Sequence, residues 1–125
     1  MTQKRRVLVV DDDPAAVRMY GRLLEAAGFQ TTTADSGIGA VEAVERAGFD
    51  AVVMDLNMPG LDGWMAMSLV RARRPTLPVV ILTGAVGADL EARAATAGAA
   101  GFLSKPCTSE ALVRAVERAI AGVRG

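Results

Sequence analysis

Carboxylates form the densest chemical cluster in this sequence. Asp11, Asp12 and Asp13 follow directly on one short apolar run, and Asp55 follows another. Ionised carboxylates that lie close together repel one another unless a counter-charge is present. Oxygen ligands of this kind select Mg²⁺ or Mn²⁺ rather than zinc, which prefers imidazole and thiolate. The aspartates therefore predict a magnesium site, provided that the fold brings the two runs together.

Two other polar residues follow apolar runs in the same way. Thr83 follows the run 77–82, and Lys105 follows the run 99–104. Lys105 is unusual here because twelve of the fourteen Lys and Arg residues are arginines. A slim ammonium group can approach an oxyanion as a point charge where a wider guanidinium would not fit. The alternative is a solvated lysine at the end of a strand, and position alone does not decide between the two.

Each of these residues also has a purely structural interpretation. Asp13 precedes Pro14, a pair typical of a helix N-cap and the first helical position, and we favour that role for Asp13. An aspartate after a strand often caps a helix or forms an Asx turn, which leaves Asp11 and Asp12 open. Cys107 is expected to be a small, partly buried apolar residue.

The composition narrows the classes of function. The 125 residues suit one domain, residues 1–125, and the absence of histidine excludes histidine zinc sites and Ser-His-Asp or Cys-His catalysis. A single cysteine cannot form an internal disulfide, which suits the reducing cytoplasm. Fourteen cations balance fourteen anions, so we expect no direct binding to nucleic acid or to a membrane surface. No apolar run approaches the roughly 20 residues needed for membrane insertion.

Short apolar runs alternate with helical patterns along the whole chain. The runs predict strands at 7–10, 29–34, 51–54, 77–82 and 99–104. Ser36 and Asp62 predict the starts of the second and third helices, and the last helix is expected to start near Thr108 or Ser109. The inner faces of the first two helices are predicted to hold Val17, Tyr20, Leu24 and Ala27, and Ile38, Val41 and Val44.

This alternation of strands and helices predicts an α/β protein, a doubly wound sandwich around a parallel sheet. In such sheets the ligand site lies beyond the carboxyl ends of the strands. Because the aspartates, Asn57, Thr83 and Lys105 all follow strands, we expect them at one edge of the sheet.

Four segments together resemble the receiver domain of two-component response regulators. They are VLVVDDDP at 7–14, MDLNMPGLDG at 54–63, PVVILTG at 78–84 and GAAGFLSKP at 98–106. Their order and separations make the resemblance specific, and it covers essentially the whole chain. It implies a flavodoxin-like (βα)5 fold with five parallel strands in the order 2-1-3-4-5. It also implies a phosphoacceptor signalling module rather than an enzyme.

The resemblance assigns a metal site and a phosphorylation site. It implies that Asp55 is phosphorylated to an acyl phosphate. The carboxylates of Asp12 and Asp55 would bind Mg²⁺, with Mn²⁺ as a possible substitute. The backbone carbonyl of Asn57 would add a third ligand, and Asp11 would act through a bound water.

The remaining members of the site would respond to the phosphoryl group. Lys105 would pair with its oxygens, and Thr83 would donate a hydrogen bond to one of them. As Thr83 moves, Phe102 would turn inward and change the surface of the fourth helix, fifth strand and fifth helix. The Lys105–Pro106 peptide bond is expected to be cis, as in the family.

The resemblance also implies partners. Because the chain contains no histidine, its phosphoryl donor must be another molecule. The donor would be a sensor histidine kinase, a histidine phosphotransfer protein or a small molecule such as acetyl phosphate. The readout would be a downstream protein target of unknown identity. Gly84 and Cys107 depart from the commonest residues of the family at their positions, which bears on loop packing and not on the chemistry.

Two alternatives belong to other functional classes. A haloacid-dehalogenase-type phosphatase also places an Asp-x-Asp motif after a strand and uses Mg²⁺, and Asp11 and Asp13 have that spacing. However, Pro14 and Ala15 do not continue that motif, and the chain is too short for a cap domain. A nucleotide-binding domain is weaker still, because Gly37 and Gly39 lack the third glycine and follow the wrong strand.

Overall fold

Strands and helices alternate without exception through residues 4–124, the part of the chain that the computed structural model describes. The elements are β1 (Arg6–Val10), α1 (Pro14–Ala26), β2 (Gln30–Ala34), α2 (Gly37–Arg46), β3 (Ala51–Met54), α3 (Gly63–Arg73), β4 (Val79–Thr83), α4 (Leu90–Thr96), β5 (Gly101–Ser104) and α5 (Ser109–Arg124). All five predicted strands are present. The bounds of β4 and β5 lie up to two residues later than the apolar runs indicated.

The five strands form one parallel sheet in the order β2-β1-β3-β4-β5. The predicted doubly wound α/β fold is therefore confirmed. β1 and β3 lie side by side, and β2 lies on the other side of β1. The connections that leave β1 and β3 therefore run in opposite directions across the sheet. This is the topological switch point at which doubly wound sheets bind their ligands.

The central strands are buried on both faces. Every residue of β3 and β4 is buried, as are the last four residues of β1. One apolar layer joins the sheet to α1 and α5, around Tyr20, Leu24 and Leu112. The other joins it to α2, α3 and α4, around Val44 and Met67. The central strands are thus covered on both sides, whereas the edge strand β2 exposes Gln30, Thr32 and Thr33 to solvent.

Three of the predicted helix caps are present. Asp13 accepts a hydrogen bond from the backbone of Ala15, and Ser36 and Asp62 cap α2 and α3 in the same manner. Thr108 caps α5 by accepting from the backbone N–H of Ala111 at 3.0 Å. Each such cap contributes about 1 kcal/mol to the stability of the protein. A cap also fixes the residue at which its helix begins, and so where the loop from the preceding strand ends.

Two predicted core positions are wrong. Ile38 is 60% exposed, because α2 turns Gly37, Ala40, Val41 and Val44 toward the sheet and Ile38 lies outside this stripe. Ala27 is exposed because α1 has already ended at Ala26, and Phe29 is buried in its place. Within residues 4–124, no helix is long and apolar enough to cross a bilayer.

Candidate functional site

The register of β1 against β3 brings Asp11 and Asp55 together. Val10 pairs with Met54, and the backbone N–H of Asp55 donates to the carbonyl of Val10 at 3.1 Å. The next residue of each strand is an aspartate, so the two carboxylates leave adjacent strands at the same level. One carboxylate oxygen from each of Asp11, Asp12 and Asp55 lies within 4.8 Å of the others.

The three carboxylates differ in exposure and in hydrogen bonding. Asp11 is 3% exposed and Asp55 is 7% exposed, whereas Asp12 is exposed. Oδ1 of Asp11 accepts a hydrogen bond from the backbone of Asp13 at 3.0 Å. Oδ1 of Asp55 accepts from the backbone of Asn57 at 3.2 Å. The loops after β1 and β3 therefore orient both buried carboxylates.

Lys105 reaches both buried carboxylates from the end of β5. Its ammonium group donates to Oδ2 of Asp55 at 3.1 Å and also to Oδ2 of Asp11. Burial by itself would lower the pKa of Lys105, but the hydrogen bonds to the two carboxylates outweigh it and raise the pKa. Lys105 is therefore charged and held in the cluster, and the alternative of a solvated lysine at a strand end is wrong.

Thr83 lies at the end of β4, between the strands that carry Asp55 and Lys105. It is fully buried, and its hydroxyl oxygen accepts from the backbone N–H of Ala85 at 3.1 Å. Its carbonyl accepts from the backbone N–H of Lys105 at 2.8 Å, which ties the end of β5 to β4. The Thr83 hydroxyl is thus engaged with the loop that leads to α4.

Phe102 and Pro106 flank Lys105 on the same segment. Phe102 pairs with Ile81 in the register of β5 against β4. Its half-buried ring packs against the core layer of α2, α3 and α4. The Lys105–Pro106 peptide bond is cis, the isomer that the resemblance implies.

The carboxylate cluster has the chemistry of a site for a hard divalent cation. Three aspartates face one ammonium group, so the cluster keeps an excess of negative charge when all are ionised. Two of the carboxylates are buried, where unbalanced charge is costly, and the exposed Asp12 leaves the cluster open to solvent. Asp11, Asp12 and Asp55 therefore fit Mg²⁺. The carbonyl of Asn57 as a further ligand stays a prediction.

A close approach of α3 to the loop that follows β3 was not predicted from the sequence. A Cβ atom on Gly63 would lie 2.2 Å from the carbonyl oxygen of Asp55 and 2.5 Å from Cα of Leu56. The backbone N–H of Gly63 donates to the carbonyl of Leu56 at 3.0 Å. The Asp-Gly pair at 62–63 signalled a helix start, but it did not reveal this contact.

Two contacts between α3 and α4 also went unpredicted. The guanidinium carbon of Arg93 lies 4.1 Å from the centroid of the Trp64 ring. Arg71 donates to the carbonyl of Ala97 at 3.0 Å, just beyond the end of α4. Trp64 is half-buried at the edge of the core. Nothing in the spacing of these residues indicates that they meet.

Comparison with known proteins shows the same resemblance over most of the chain. A family model for the response regulator receiver domain matches residues 7–117. The transcriptional regulatory protein FixJ of Bradyrhizobium diazoefficiens is 36% identical over 120 residues, covering 96% of this chain and 58% of FixJ. The sensor protein GacS of Pseudomonas syringae pv. syringae is 36% identical over 116 residues, covering 89% of this chain and 13% of GacS.

A solved structure gives the same result. A response regulator receiver domain protein from Clostridium thermocellum has a TM-score of 0.90 and 30% identity, over 96% of this chain and 97% of that one. The similarities give no support to the alternative of a dehalogenase-type phosphatase. The chain spans less than two thirds of the length of FixJ and GacS, so their further parts have no counterpart in the match.

Proposed function

The chain belongs to the response regulator receiver domain family, a family of signalling domains, and from this premise we propose that Asp55 is its phosphoacceptor. One observation carries the proposal. The buried Asp55 carboxylate lies at the switch point of the sheet, hydrogen-bonded to Lys105 and within 4.8 Å of two further carboxylates. This combines a nucleophile, a cation and a set of oxygen ligands for Mg²⁺ in one place.

The proposed step is transfer of a phosphoryl group to the Asp55 carboxylate. A carboxylate oxygen attacks phosphorus, the P–N bond of a donor phosphohistidine breaks, and its electron pair stays with the imidazole of the donor. The product is an acyl phosphate on Asp55. Such transfer depends mainly on alignment and on neutralising the phosphoryl oxygens.

The residues of this chain would meet these requirements directly, through Lys105, and by holding Mg²⁺. Lys105 is already charged and bonded to Asp55, so its ammonium is placed to pair with the phosphoryl oxygens. Asp12, Asp55 and the carbonyl of Asn57 would hold Mg²⁺, with Asp11 acting through a bound water, and the cation would neutralise the same oxygens. Loss of the Lys105–Asp55 hydrogen bond frees the lysine for that role.

We propose that phosphorylation also acts as a conformational switch. It adds roughly 1.5–2 negative charges and strong hydrogen-bond acceptors. Thr83 would exchange its contact with Ala85 for a hydrogen bond to the phosphoryl group. Phe102, half-buried on β5, would turn into the space that Thr83 leaves and alter the surface formed by α4, β5 and α5.

The partners follow from this chemistry. The donor would be a sensor histidine kinase, a histidine phosphotransfer protein or acetyl phosphate, and the relative GacS is itself a sensor protein. The target would be a protein, with no direct contact to nucleic acid. The proposal places the chain in the cytoplasm and gives it no turnover of other substrates. A single receiver domain over residues 1–125 stays a prediction.

Intact-mass measurement after incubation with acetyl phosphate and Mg²⁺ tests the proposal. We expect the mass of one phosphoryl group to be added, and we expect Asp55→Asn to abolish the gain. Asp35→Asn is the matched control, because Asp35 is an exposed aspartate at the end of β2 outside the cluster. Continuous hydrolysis of p-nitrophenyl phosphate that depends on Asp11 would contradict the proposal and favour a phosphatase.

A further inference from the structure

β2 is an open edge of the sheet. Within residues 4–124 it pairs with β1 alone, in an unbroken register, and Gln30, Thr32 and Thr33 are exposed. Edge strands of soluble proteins are usually protected by charged residues, prolines or bulges, and β2 contains no charged residue and no proline. Its three consecutive threonines favour an extended, paired strand instead. The edge can therefore accept a further strand.

The backbone groups of two threonines point away from β1. In a parallel ladder, alternate residues turn their N–H and C=O toward the same neighbouring strand. The N–H of Gln30 and the carbonyl of Ala34 both bond to the segment 5–11, which contains β1. The even-numbered residues of β2 therefore face β1, which leaves the N–H and C=O of Thr31 and Thr33 at the open edge.

A groove lies on each side of this edge. One of about 550 Å³ follows β2 beside α2, and one of about 480 Å³ follows it beside α1. The side chains of an added strand would point alternately to the two faces of the sheet, and so into the two grooves. The edge thus has room for an added strand together with its side chains.

The groove beside α2 is basic at one end and acidic at the other. Because α2 starts beside the end of β2 and runs back along it, Arg46 lies with Arg6 where β2 begins. Glu42 lies one helical turn before Arg46, and Asp35 lies where β2 ends. None of these four side chains forms an ion pair with another residue of the described range.

This charge pattern is complementary to a second copy that runs in the opposite direction. Two β2 edges that pair antiparallel are related by a two-fold axis normal to the sheet, so the groove of each copy continues into the same groove of the other. The axis reverses the direction of the second groove. It therefore sets Arg46 of each copy toward Glu42 and Asp35 of the other.

We propose that two copies of this chain pair through their β2 edges, antiparallel, with Thr31 of each copy opposite Thr33 of the other. Each such pair exchanges two backbone hydrogen bonds, and cross-strand threonine pairs are favourable. The two five-stranded sheets would become one continuous sheet. β5 forms the opposite edge, so the pairing does not involve the surface of α4, β5 and α5, and it does not depend on phosphorylation of Asp55.

Sedimentation velocity over a series of protein concentrations, with NMR spectra of the same samples, tests the proposal. We expect an equilibrium of monomer and dimer, in which the amide signals of Thr31 and Thr33 shift as the concentration rises. Thr33→Pro should abolish the dimer, since it removes an N–H at the open edge. Proline is tolerated on an edge strand where the N–H faces solvent, so this variant should stay folded, which urea unfolding checks.

Charge reversal tests the orientation of the two copies. Arg46→Glu should weaken self-association by about fivefold or more, because the two-fold axis places the altered charge at two contacts. Adding Glu42→Arg to this variant should restore most of the loss, since the opposite charges then meet again in exchanged positions. Arg118→Glu is the matched control, because it makes the same change in net charge at an exposed position of α5, outside the groove.

Several results would overturn the proposal. They are a chain that stays monomeric at every concentration, a dimer that persists in Thr33→Pro, and a dimer that is weakened by Arg118→Glu rather than by Arg46→Glu. The last would place the contact at α5. A monomeric chain whose Thr31 and Thr33 signals shift only when an acetylated peptide of alternating Thr and Val is added would also overturn it, and would identify a foreign strand as the occupant.

Discussion

Lys105 balances the charge of two buried carboxylates. Its ammonium group bonds Asp11 and Asp55, which are 3% and 7% exposed. A buried carboxylate without a partner is unfavourable, so the lysine stabilises the site before any phosphoryl group arrives. A third carboxylate, Asp12, remains exposed beside this ion pair. The cluster consequently has one cation already in place and the capacity for a second.

Mg²⁺ is expected to stabilise the protein through the exposed carboxylate. At about ten times its dissociation constant, a ligand that binds only the folded state adds about 1.4 kcal/mol. For a domain of this size we expect a rise in melting temperature of roughly 4–8 °C. Asp12→Asn should remove most of this shift, whereas Asp35→Asn should retain it. Thermal unfolding with and without millimolar Mg²⁺ measures both, and a wild type that shows no shift contradicts the metal site.

The start of α3 sets the position of the loop that follows β3 and begins at Asp55. Gly63→Ala would place a methyl group 2.2 Å from the carbonyl oxygen of Asp55, so the loop and the helix must separate. We expect a loss of about 1–3 kcal/mol in the free energy of unfolding and slower phosphorylation by acetyl phosphate. Urea unfolding and the rate of mass gain measure the two effects.

The control for this substitution is Gly84→Ala, beside Thr83. A Cβ atom on Gly84 meets no heavy atom within 4 Å, and Gly84 does not have a positive φ. This variant should keep the wild-type stability. If both alanine variants are equally stable, the contact between α3 and the loop does not position Asp55.

α4 is connected to α3 by the stacking of Arg93 on Trp64. Such a contact contributes about 0.5–1 kcal/mol when exposed, and α4 has seven residues and no side-chain N-cap. Arg93→Ala should therefore raise the hydrogen-exchange rates of α4 amides by roughly two- to fivefold. The amides of β1 and β3 should be unaffected. Faster exchange throughout the molecule would mean that Arg93 supports the whole fold rather than α4.

The overall fold could be predicted from the sequence because three central strands are continuous apolar runs that end in polar residues. The same rule placed Asp11, Asp55, Thr83 and Lys105 at one edge of the sheet. The sequence predicts the wrong face for Ile38, because the glycine-rich start of α2 offers few positions from which to count the helical period.

The contacts that escaped prediction join residues far apart in the chain. The ion pair of Lys105 with Asp11 spans 94 residues, and that with Asp55 spans 50. The stacking of Arg93 on Trp64 likewise depends on how two helices pack. The spacing of residues along the chain predicts the helices, the strands and the edge of the sheet at which polar residues gather. It does not predict which side chains from different helices and strands come into contact.

If Asp55 is the phosphoacceptor, it alone should carry the phosphoryl group, and mapping of the modified residue measures this. Borohydride reduces an aspartyl phosphate to homoserine, which tandem mass spectrometry locates after proteolysis. After incubation with acetyl phosphate and Mg²⁺, we expect homoserine at position 55 and unmodified aspartate at Asp11, Asp12 and Asp13. Homoserine at any of those three positions, or at none of the four, would contradict it.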